Sequence, residues 1–201
     1  MKLNKTNKIV FLKSAVKPED FPNADRPEVM VAGRSNAGKS SFLNALSGTA
    51  IAKVSQAPGK TRLLNFFDVG KSYRILDVPG YGYSKRSGEE QSSWQEMIES
   101  YMATRGSFVG MVLVMDIRRD WSADERSLLH WVQSIGRPTM LVLTKADQLR
   151  PSEVRVRQSK IKKDSGLRLI SHCTTQGKEG REQVLEIEDV FFREWIKNYG
   201  K

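Results

Sequence analysis

The sequence predicts an α/β fold in which a mostly parallel sheet is covered by helices on both faces. Two observations predict it. Short apolar runs alternate along the chain with longer segments whose apolar residues recur at helical spacing. Polar or glycine-containing motifs fall at the ends of three of these runs, as expected where ligands bind at the carboxyl ends of parallel strands. A chain of 201 residues is long enough for one such domain.

Six runs are predicted as strands because they are short, apolar and bounded by turn-forming residues. They cover residues 28–32, 63–69, 72–78, 109–115, 139–143 and 167–170. Gly70-Lys71 separates the second and third runs, which predicts an antiparallel hairpin. We therefore expect a mostly parallel, six-stranded sheet with one antiparallel edge strand.

Five segments are predicted as helices from their apolar periodicity. They cover residues 39–46, 89–105, 124–135, 152–164 and 181–199. The segment 152–164 has only a thin apolar stripe, formed by Val154 and Ile161, so most of its surface is expected to face solvent. Residues 1–27 are expected to form a short basic N-terminal extension and a lead-in loop ahead of a single domain at 28–200.

The formal net charge of +10 is concentrated in two segments. Residues 1–17 contain five lysines and no acidic residue, and residues 150–168 contain seven basic residues against Glu153 and Asp164. The remainder of the chain is neutral. Two local basic patches suit a polyanionic partner such as RNA. A solvated tail and a solvated helix would give the same charge distribution, so charge alone leaves both interpretations open.

Several protein classes are disfavoured by the composition. The apolar run 9–12 is shorter than a signal-peptide core and far too short to span a bilayer, so no membrane role is expected. The single cysteine, Cys173, cannot form an internal disulfide, and the two histidines give no zinc-ligand spacing. We expect a protein of the reducing cytoplasm.

Residues 33–41 read Gly-Arg-Ser-Asn-Ala-Gly-Lys-Ser-Ser, between a predicted strand and a predicted helix. The first eight fit the phosphate-loop pattern G-x-x-x-x-G-K-[ST] in the context that the motif requires. Gly33 and Gly38 let the backbone aim its N–H groups at phosphate oxygens, and the helix N-terminus adds a favourable dipole. Lys39 is expected to reach the β- and γ-phosphates and Ser40 to ligate Mg²⁺. A purely structural glycine loop is the alternative.

Asp77-Val78-Pro79-Gly80 closes the third predicted strand. An aspartate at this place can hold Mg²⁺ through a water, and Gly80 can offer its N–H to the γ-phosphate. On its own the segment could equally be a turn, because proline and glycine favour turns. Its position after a phosphate loop and at a strand end favours the metal site.

Thr144-Lys145-Ala146-Asp147 follows the predicted strand 139–143. The Asp147 carboxylate can accept hydrogen bonds from N1–H and the exocyclic amine of guanine, a donor pair that adenine lacks. This predicts GTP as the ligand and argues against an ATP-dependent kinase or ATPase. The stem of Lys145 can lie along the base or along the phosphate loop. A turn stabilised by Asp147 is the alternative.

In this order the three motifs resemble those of the translation-factor class of P-loop GTPases. With Ala57-Pro58-Gly59-Lys60-Thr61 and Tyr81-Gly82-Tyr83 added, the chain from about Ile9 to Tyr199 resembles the EngB-type GTP-binding proteins of bacteria, a family linked to large ribosomal subunit assembly and normal septation. The resemblance implies a three-layer, Ras-like P-loop GTPase domain that takes GTP and GDP as ligands and Mg²⁺ as cofactor.

The resemblance also implies roles for individual residues. Thr61 matches the switch-I threonine that ligates Mg²⁺ and senses the γ-phosphate. The implied metal ligands are thus Ser40, Thr61 and, through a water, Asp77, and the implied catalytic residues are Lys39, Thr61 and Gly80. Thr174-Thr175 replace the pair that the family usually places at guanine O6. The implied nucleotide contacts are Gly33, Arg34, Ser35, Asn36, Ala37, Gly38, Lys39, Ser40, Ser41, Gly59, Lys60, Thr61, Arg62, Leu63, Asp77, Val78, Pro79, Gly80, Thr144, Lys145, Ala146, Asp147, Cys173, Thr174 and Thr175.

Tyr81 stands where many GTPases have a glutamine that orients the attacking water. Arg34, Arg62 and Arg86 lie nearby, but none is an obvious arginine finger in cis. We therefore expect a slow GTPase that an activating protein or RNA accelerates. In related GTPases an asparagine at the position of Asn36 helps to bind K⁺, which makes K⁺ a further candidate cofactor. Tyr81 and Tyr83 could stack on RNA, although internal packing is slightly favoured.

Two functions stay open at this point. In the first, the GTP form docks on a precursor of the large ribosomal subunit, contacts ribosomal RNA through the basic segments, and is released by hydrolysis. In the second, the protein is a nucleotide-gated regulator that binds a division protein, and hydrolysis is incidental. In both the protein is expected to be a monomer.

Overall fold

In the part of the chain that the structure describes, seven strands form one mixed sheet. The structure is a computed structural model and describes residues 8–52, 63–81, 88–189 and 193–199. The strand order is β1-β3-β4-β2-β5-β6-β7. The predicted α/β class with a mostly parallel sheet is confirmed. The strands are β1 (Ile9–Ala15), β2 (Glu28–Ala32), β3 (Leu64–Val69), β4 (Tyr73–Asp77), β5 (Phe108–Asp116), β6 (Thr139–Thr144) and β7 (Ile170–His172).

The central strands are buried along their whole length, and mostly apolar, because helices cover both faces of the sheet. Every residue of β2, β5 and β6 is buried. β2 pairs in parallel with β4 and β5, and β5 pairs in parallel with β6. Parallel pairing brings the carboxyl ends of these strands to one edge of the sheet, at Ala32, Asp77, Asp116 and Thr144.

β3 and β4 form the predicted antiparallel hairpin, but the prediction of six strands is wrong by one. Residues 9–15, assigned to the N-terminal extension, form β1 and pair antiparallel with β3. The antiparallel strand β3 therefore lies inside the sheet and not at its edge. A bulge between Phe11 and Lys13 interrupts the alternation of inward and outward side chains, so the period-two pattern of a strand is not visible in this segment.

Six α-helices lie within the described ranges, and they divide between the two faces of the sheet. Residues of α2, α3 and α4 contribute to one apolar core, and residues of α1, α5 and α6 contribute to the other. The predicted three-layer arrangement is thereby confirmed. The helices are α1 (Lys39–Ser47), α2 (Gly88–Thr104), α3 (Ala123–Ser134), α4 (Pro151–Ser165), α5 (Gly177–Ile187) and α6 (Arg193–Tyr199). None of the described helices is long and apolar enough to cross a bilayer.

The C-terminal part differs from the prediction in two places. The predicted strand 167–170 is found at Ile170–His172, because pairing with β6 places Ile170 opposite Leu141 and His172 opposite Leu143. The predicted single helix 181–199 is described as α5 and α6, and α5 begins four residues earlier, at Gly177.

A buried ionic cluster lies at the amino-terminal end of β2. The Glu28 carboxylate, fully buried, accepts hydrogen bonds from Arg74, Arg105 and the Tyr101 hydroxyl. Arg74 also contacts Asp68 on β3. This cluster joins β2, β4 and α2 at the end of the sheet opposite the predicted site.

Candidate nucleotide-binding site

Residues 33–38 join the end of β2 to the start of α1, as predicted. At Gly33 a Cβ atom would lie 2.2 Å from the carbonyl oxygen of Val114, so no side chain fits there. Gly38 has a φ of +97°, and a Cβ atom at this position would lie 3.2 Å from the hydroxyl oxygen of Thr144. Glycine at both positions therefore lets the loop lie directly against β5 and β6.

The N-terminus of α1 has the features of an anion-binding site. No side chain caps it, and its first turn has no acidic residue. The first N–H groups of a helix have no partner within the helix, and the helix dipole places partial positive charge there. Ser40 and Ser41 lie in this turn, and Lys39 Nζ donates a hydrogen bond to the Gly33 carbonyl oxygen at 3.1 Å. This combination of amides, hydroxyls and an ammonium group favours a phosphate ligand.

Asp77 is the last residue of β4, and its Oδ1 atom is buried with no hydrogen-bond partner among the described residues. Burial raises the pKa of the carboxyl group to about 6, while the charge of Lys39 and a side-chain hydrogen bond from Asn65 act in the opposite direction. An unpartnered buried oxygen is unfavourable, and a cation would satisfy it. Asp77 therefore fits Mg²⁺, which binds through oxygen ligands.

No group of three or more His, Cys, Asp or Glu residues that could hold a metal is found in the described ranges. Such a group is not required for Mg²⁺ at a phosphate site, because this ion usually takes one or two carboxylates and completes its shell with phosphates and water. The donor set of Asp77 and the Ser40 hydroxyl suits this kind of coordination.

Residues 79–81 pack on the phosphate loop. A Cβ atom at Gly80 would lie 2.8 Å from the backbone nitrogen of Ser35, and the Ser35 N–H donates to the Tyr81 carbonyl oxygen at 3.1 Å. The indole N–H of Trp94 on α2 donates to the Pro79 carbonyl oxygen at 2.7 Å. The segment after β4 is thus held between the phosphate loop and α2.

The side chain of Tyr81 is buried and packs internally. Its hydroxyl donates to Glu125 Oε1 on α3 at 3.1 Å, and its ring meets the Trp94 ring edge-on. Burial, reinforced by the Glu125 carboxylate, raises the pKa of Tyr81 well above its ordinary value. Of the two interpretations of Tyr81, internal packing agrees with this environment. Tyr83 lies outside the described residues.

Residues 144–147 lie beside the phosphate loop. The hydroxyl oxygen of Thr144 lies 2.6 Å from the Ala37 carbonyl oxygen. Lys145 has a left-handed backbone with a φ of +61°, and its Nζ donates to the Asn36 carbonyl oxygen at 2.8 Å. Of the two paths predicted for the Lys145 stem, the side chain takes the one towards the phosphate loop.

Asp147 lies in the 3₁₀ turn Ala146–Gln148, next to the loop that follows β7. The Ala146 N–H donates to the Cys173 carbonyl oxygen at 3.4 Å, which brings the two predicted base-binding segments together. The Thr174 N–H donates to Gln183 Oε1 on α5 at 2.9 Å. Cys173 is fully buried, and burial raises the pKa of its thiol to about 12.

Sequence reasoning missed Asp116, the last residue of β5. Asp116 is 3% exposed, and its carboxylate accepts hydrogen bonds from Lys145 and from the backbone nitrogen and two guanidinium nitrogens of Arg118. Burial raises the pKa of Asp116, but the bonds from Arg118 and Lys145 outweigh burial, so the net pKa lies below its usual range. The available signal was an acidic residue directly at the carboxyl end of a buried strand.

Some of the remaining predicted contacts lie outside the described residues, and others lie within them. Gly59, Lys60, Thr61 and Arg62 fall outside the described residues, so their roles stay predictions. Leu63 precedes β3 and is 39% exposed, whereas Val78 is buried.

The chain combines a glycine-built phosphate loop, a buried aspartate at a neighbouring strand end and a Thr-Lys-Ala-Asp motif at a third strand end. Together these features define a P-loop nucleotide-binding protein. Comparisons with known proteins agree. The family model described as "50S ribosome-binding GTPase" matches residues 28–145. A probable GTP-binding protein EngB of Bdellovibrio bacteriovorus is 49% identical over 189 residues, which cover 94% of this chain and 93% of the relative.

Another protein described as a probable GTP-binding protein EngB, from Desulfosudis oleivorans, is 41% identical over 180 residues and covers 88% of this chain and 91% of its own length. The crystal structure of a probable GTP-binding protein engB superposes with a TM-score of 0.68 at 19% identity, over 85% of this chain and all of that chain. The chain belongs to the EngB family of GTP-binding proteins. It is a GTPase of the P-loop class.

Proposed function

We propose that this protein is a slow GTPase switch in the assembly of the large ribosomal subunit and is thereby needed for normal septation. The observation that supports it most directly is that the nucleotide site and an exposed basic helix are joined through one loop. Arg157 of α4 donates to the carbonyl oxygen of Ile117 and pairs with Asp120, both in the loop that follows Asp116. A shift of this loop when nucleotide binds would therefore act directly on α4, whose exposed basic surface suits RNA.

In the proposed complex the phosphate loop and the first turn of α1 bind the phosphates, with Lys39 supplying a positive charge. Ser40 and Thr61, with Asp77 acting through a water, hold Mg²⁺, which neutralises negative charge on the β- and γ-phosphates when bound. Asp147 accepts the two hydrogen bonds that distinguish guanine, and Lys145 holds that motif against the phosphate loop.

Slow hydrolysis follows from the environment of Tyr81. Phosphoryl transfer depends on a group that positions the attacking water and on positive charge at the transferred phosphate. The Tyr81 hydroxyl is bonded to Glu125, and Arg34 pairs with Asp124 at 3.4 Å and contacts the Ser122 hydroxyl. An activating protein or RNA is therefore proposed to supply the group that positions the water and the positive charge at the transferred phosphate. Turnover by the isolated protein at several per second, measured without a partner and without K⁺, would contradict this.

K⁺ is proposed as a second cation, held through Asn36. Asn36 is exposed at the mouth of the phosphate loop and has a left-handed backbone with a φ of +64°. A monovalent cation there would place charge beside the β- and γ-phosphates. Hydrolysis should be faster in K⁺ than in Na⁺ buffer, and Asn36→Ala should remove the difference. Equal rates in the two buffers would count against a K⁺ site.

Ribosomal RNA is proposed to bind the outer face of α4. Only Val154 and Ile161 of this helix are buried, while Arg155, Lys162 and Lys163 are exposed. Asp120 neutralises part of the neighbouring charge by pairing with Arg157 and Lys160, which leaves the outer face strongly basic. Contacts of such a face with phosphates weaken steeply as salt rises.

The experiment is sucrose-gradient fractionation of cell extract with the protein bound to GDP or to a non-hydrolysable GTP analogue. Co-migration with large-subunit particles is expected only with the analogue, and it should be lost as salt rises. The double variant Lys162→Glu/Lys163→Glu should lose it, whereas Lys178→Glu/Lys197→Glu, which reverses two exposed lysines elsewhere, should keep it. Equal behaviour of the two double variants would contradict the RNA surface.

A second candidate function, nucleotide-gated binding of a division protein with hydrolysis incidental, has one observation in its favour. Four large apolar side chains on or next to β1 are 42–50% exposed: Val10, Phe11, Leu12 and Val16. Exposed large apolar side chains concentrated in one short segment suit a protein partner. Association through it would resist high salt, which separates it from RNA binding. In either case we propose that the protein acts as a cytoplasmic monomer.

A further inference from the structure

Three polar side chains lie in one row across β1, β3 and β4. The antiparallel pairing places Ser14 opposite Asn65, and Asn65 opposite Asp77. Residues directly opposite each other in antiparallel strands point to the same face of the sheet, with Cβ atoms about 4.5–5.5 Å apart. Ser14, Asn65 and Asp77 are therefore neighbours on one face, at the end of β4 where the metal site is proposed.

The bulge in β1 is what brings Ser14 to this face. Ile9 and Phe11 lie opposite Val69 and Phe67, so they point to the same face as Asn65. With regular alternation the next side chains on that face would be those of Lys13 and Ala15. The bulge between Phe11 and Lys13 shifts the alternation by one residue and brings Ser14 there. Bulges beside active sites often change the direction in which a side chain points.

The hydrogen bond between Ser14 and Asn65 has a defined direction. The Ser14 hydroxyl donates to Asn65 Oδ1 at 2.7 Å. The Asn65 amide has one oxygen and one NH₂ group, so a bond to the oxygen on the Ser14 side leaves the NH₂ group to donate on the other side. Asp77 lies on that other side, directly opposite Asn65 in the pairing of β3 with β4. The Asp77 Oδ1 atom keeps no partner among the described residues.

We propose that Ser14 and Asn65 are positioning residues that orient the Asp77 carboxylate for Mg²⁺. Ser14 fixes which way the Asn65 amide faces, and Asn65 fixes the rotation of the carboxylate about its Cβ–Cγ bond. The inference rests on the proposed Mg²⁺ role of Asp77. It gives the N-terminal strand a function in the nucleotide site, which its place at the sheet edge does not suggest.

The test is the Mg²⁺ dependence of the rate at which a fluorescent GDP analogue dissociates from the purified protein. Mg²⁺ is titrated against the dissociation rate for the wild type, Asn65→Leu, Ser14→Ala and Ser14→Thr. Loss of a group that orients a metal ligand typically weakens metal binding about 10–100-fold, so Asn65→Leu should raise the midpoint Mg²⁺ concentration about tenfold or more. Ser14→Ala should shift it less in the same direction, and Ser14→Thr should restore it because threonine keeps the hydroxyl.

A merely structural role would alter nucleotide release with and without the metal, so dissociation in EDTA is the second readout and should stay at the wild-type rate. Ser72→Ala, in the turn that joins β3 and β4, serves as the matched control. If Asn65→Leu fails to fold, the comparison of the Mg²⁺ midpoints of Ser14→Ala and Ser14→Thr tests the positioning roles without it. Folded variants with the wild-type midpoint would overturn the positioning roles, whereas a wild type without Mg²⁺ dependence would overturn the metal role of Asp77 and the positioning roles with it.

Discussion

The ammonium nitrogen of Lys145 lies 2.8 Å from the carbonyl oxygen of Asn36, which joins the base motif to the phosphate loop. Both residues have left-handed backbone conformations, with φ of +61° and +64°. Asparagine adopts this conformation more readily than most residues, whereas for lysine it is unfavourable and persists where surrounding contacts hold it. Together with the Thr144 hydroxyl on the Ala37 carbonyl oxygen, the Lys145 side chain thus positions the two halves of the nucleotide site against each other.

Replacing Asp116 should weaken nucleotide binding although Asp116 belongs to none of the sequence motifs. Asp116→Ala removes the buried carboxylate that holds Lys145, and hydrogen bonds to charged groups contribute about 1.5–3 kcal/mol. We expect affinity for GDP to fall about tenfold to a hundredfold, measured by titration with a fluorescent analogue. Asp120→Ala removes an exposed carboxylate four residues later and should leave affinity unchanged. The same affinity in both variants would rule out the anchoring role of Asp116.

The parts of the site that could be predicted from sequence are those encoded within a few residues. Gly33, Gly38 and Lys39 belong to one loop whose shape depends on local backbone freedom, and Asp77 and Asp147 follow strands that are recognisable from their apolar runs. Each of these features depends only on residues close together in the sequence, so the sequence pattern alone can predict it.

The features that escaped prediction depend on distant partners. Asp116 is held by Lys145, which follows the next strand of the sheet, and the Tyr81 hydroxyl donates to Glu125, 44 residues away. β1 was missed because its bulge breaks the period-two pattern and its edge position leaves apolar side chains exposed. Pairing with β3, far along the chain, is what makes this segment a strand.

Asp147→Asn should change which purine nucleotide is preferred. The amide retains one acceptor but loses the carboxylate that accepts two guanine hydrogens, whereas xanthine presents a carbonyl oxygen that the new NH₂ group can bind. We expect affinity for GTP to fall about tenfold to a hundredfold, as for the loss of hydrogen bonds to a charged group. Affinity for xanthosine triphosphate should rise. Competition of both nucleotides against a fluorescent guanine analogue measures the change. Unchanged preference would favour a turn-forming role for Asp147.

Gly33→Ala should disrupt the phosphate loop through one methyl group. Its Cβ atom would lie 2.2 Å from the Val114 carbonyl oxygen, so the loop has to move away from β5. Overpacking of this kind costs typically about 1–3 kcal/mol, and the displaced amides should lower phosphate affinity as well. Gly106→Ala is the matched control because nothing lies within 4 Å of its Cβ position. Urea unfolding and GDP titration of both variants provide the measurement, and a Gly33→Ala protein that behaves like the control would contradict the packing described.

Glu28→Ala should destabilise the fold while leaving nucleotide affinity nearly unchanged in the folded protein. The substitution leaves Arg74 and Arg105, both at most one-tenth exposed, without the carboxylate that they share. Removing one partner of a buried ion pair costs about 3–5 kcal/mol because the remaining charge stays buried. Urea unfolding should therefore show a large loss of stability, and GDP titration below the unfolding range should give the wild-type value because Glu28 lies at the opposite end of the sheet. Asp25→Ala is a useful comparison, since this half-exposed carboxylate also contacts Arg74 but faces solvent, and it should unfold near the wild-type urea concentration. If both variants unfold together near the wild type, the cluster does not stabilise this end of the sheet.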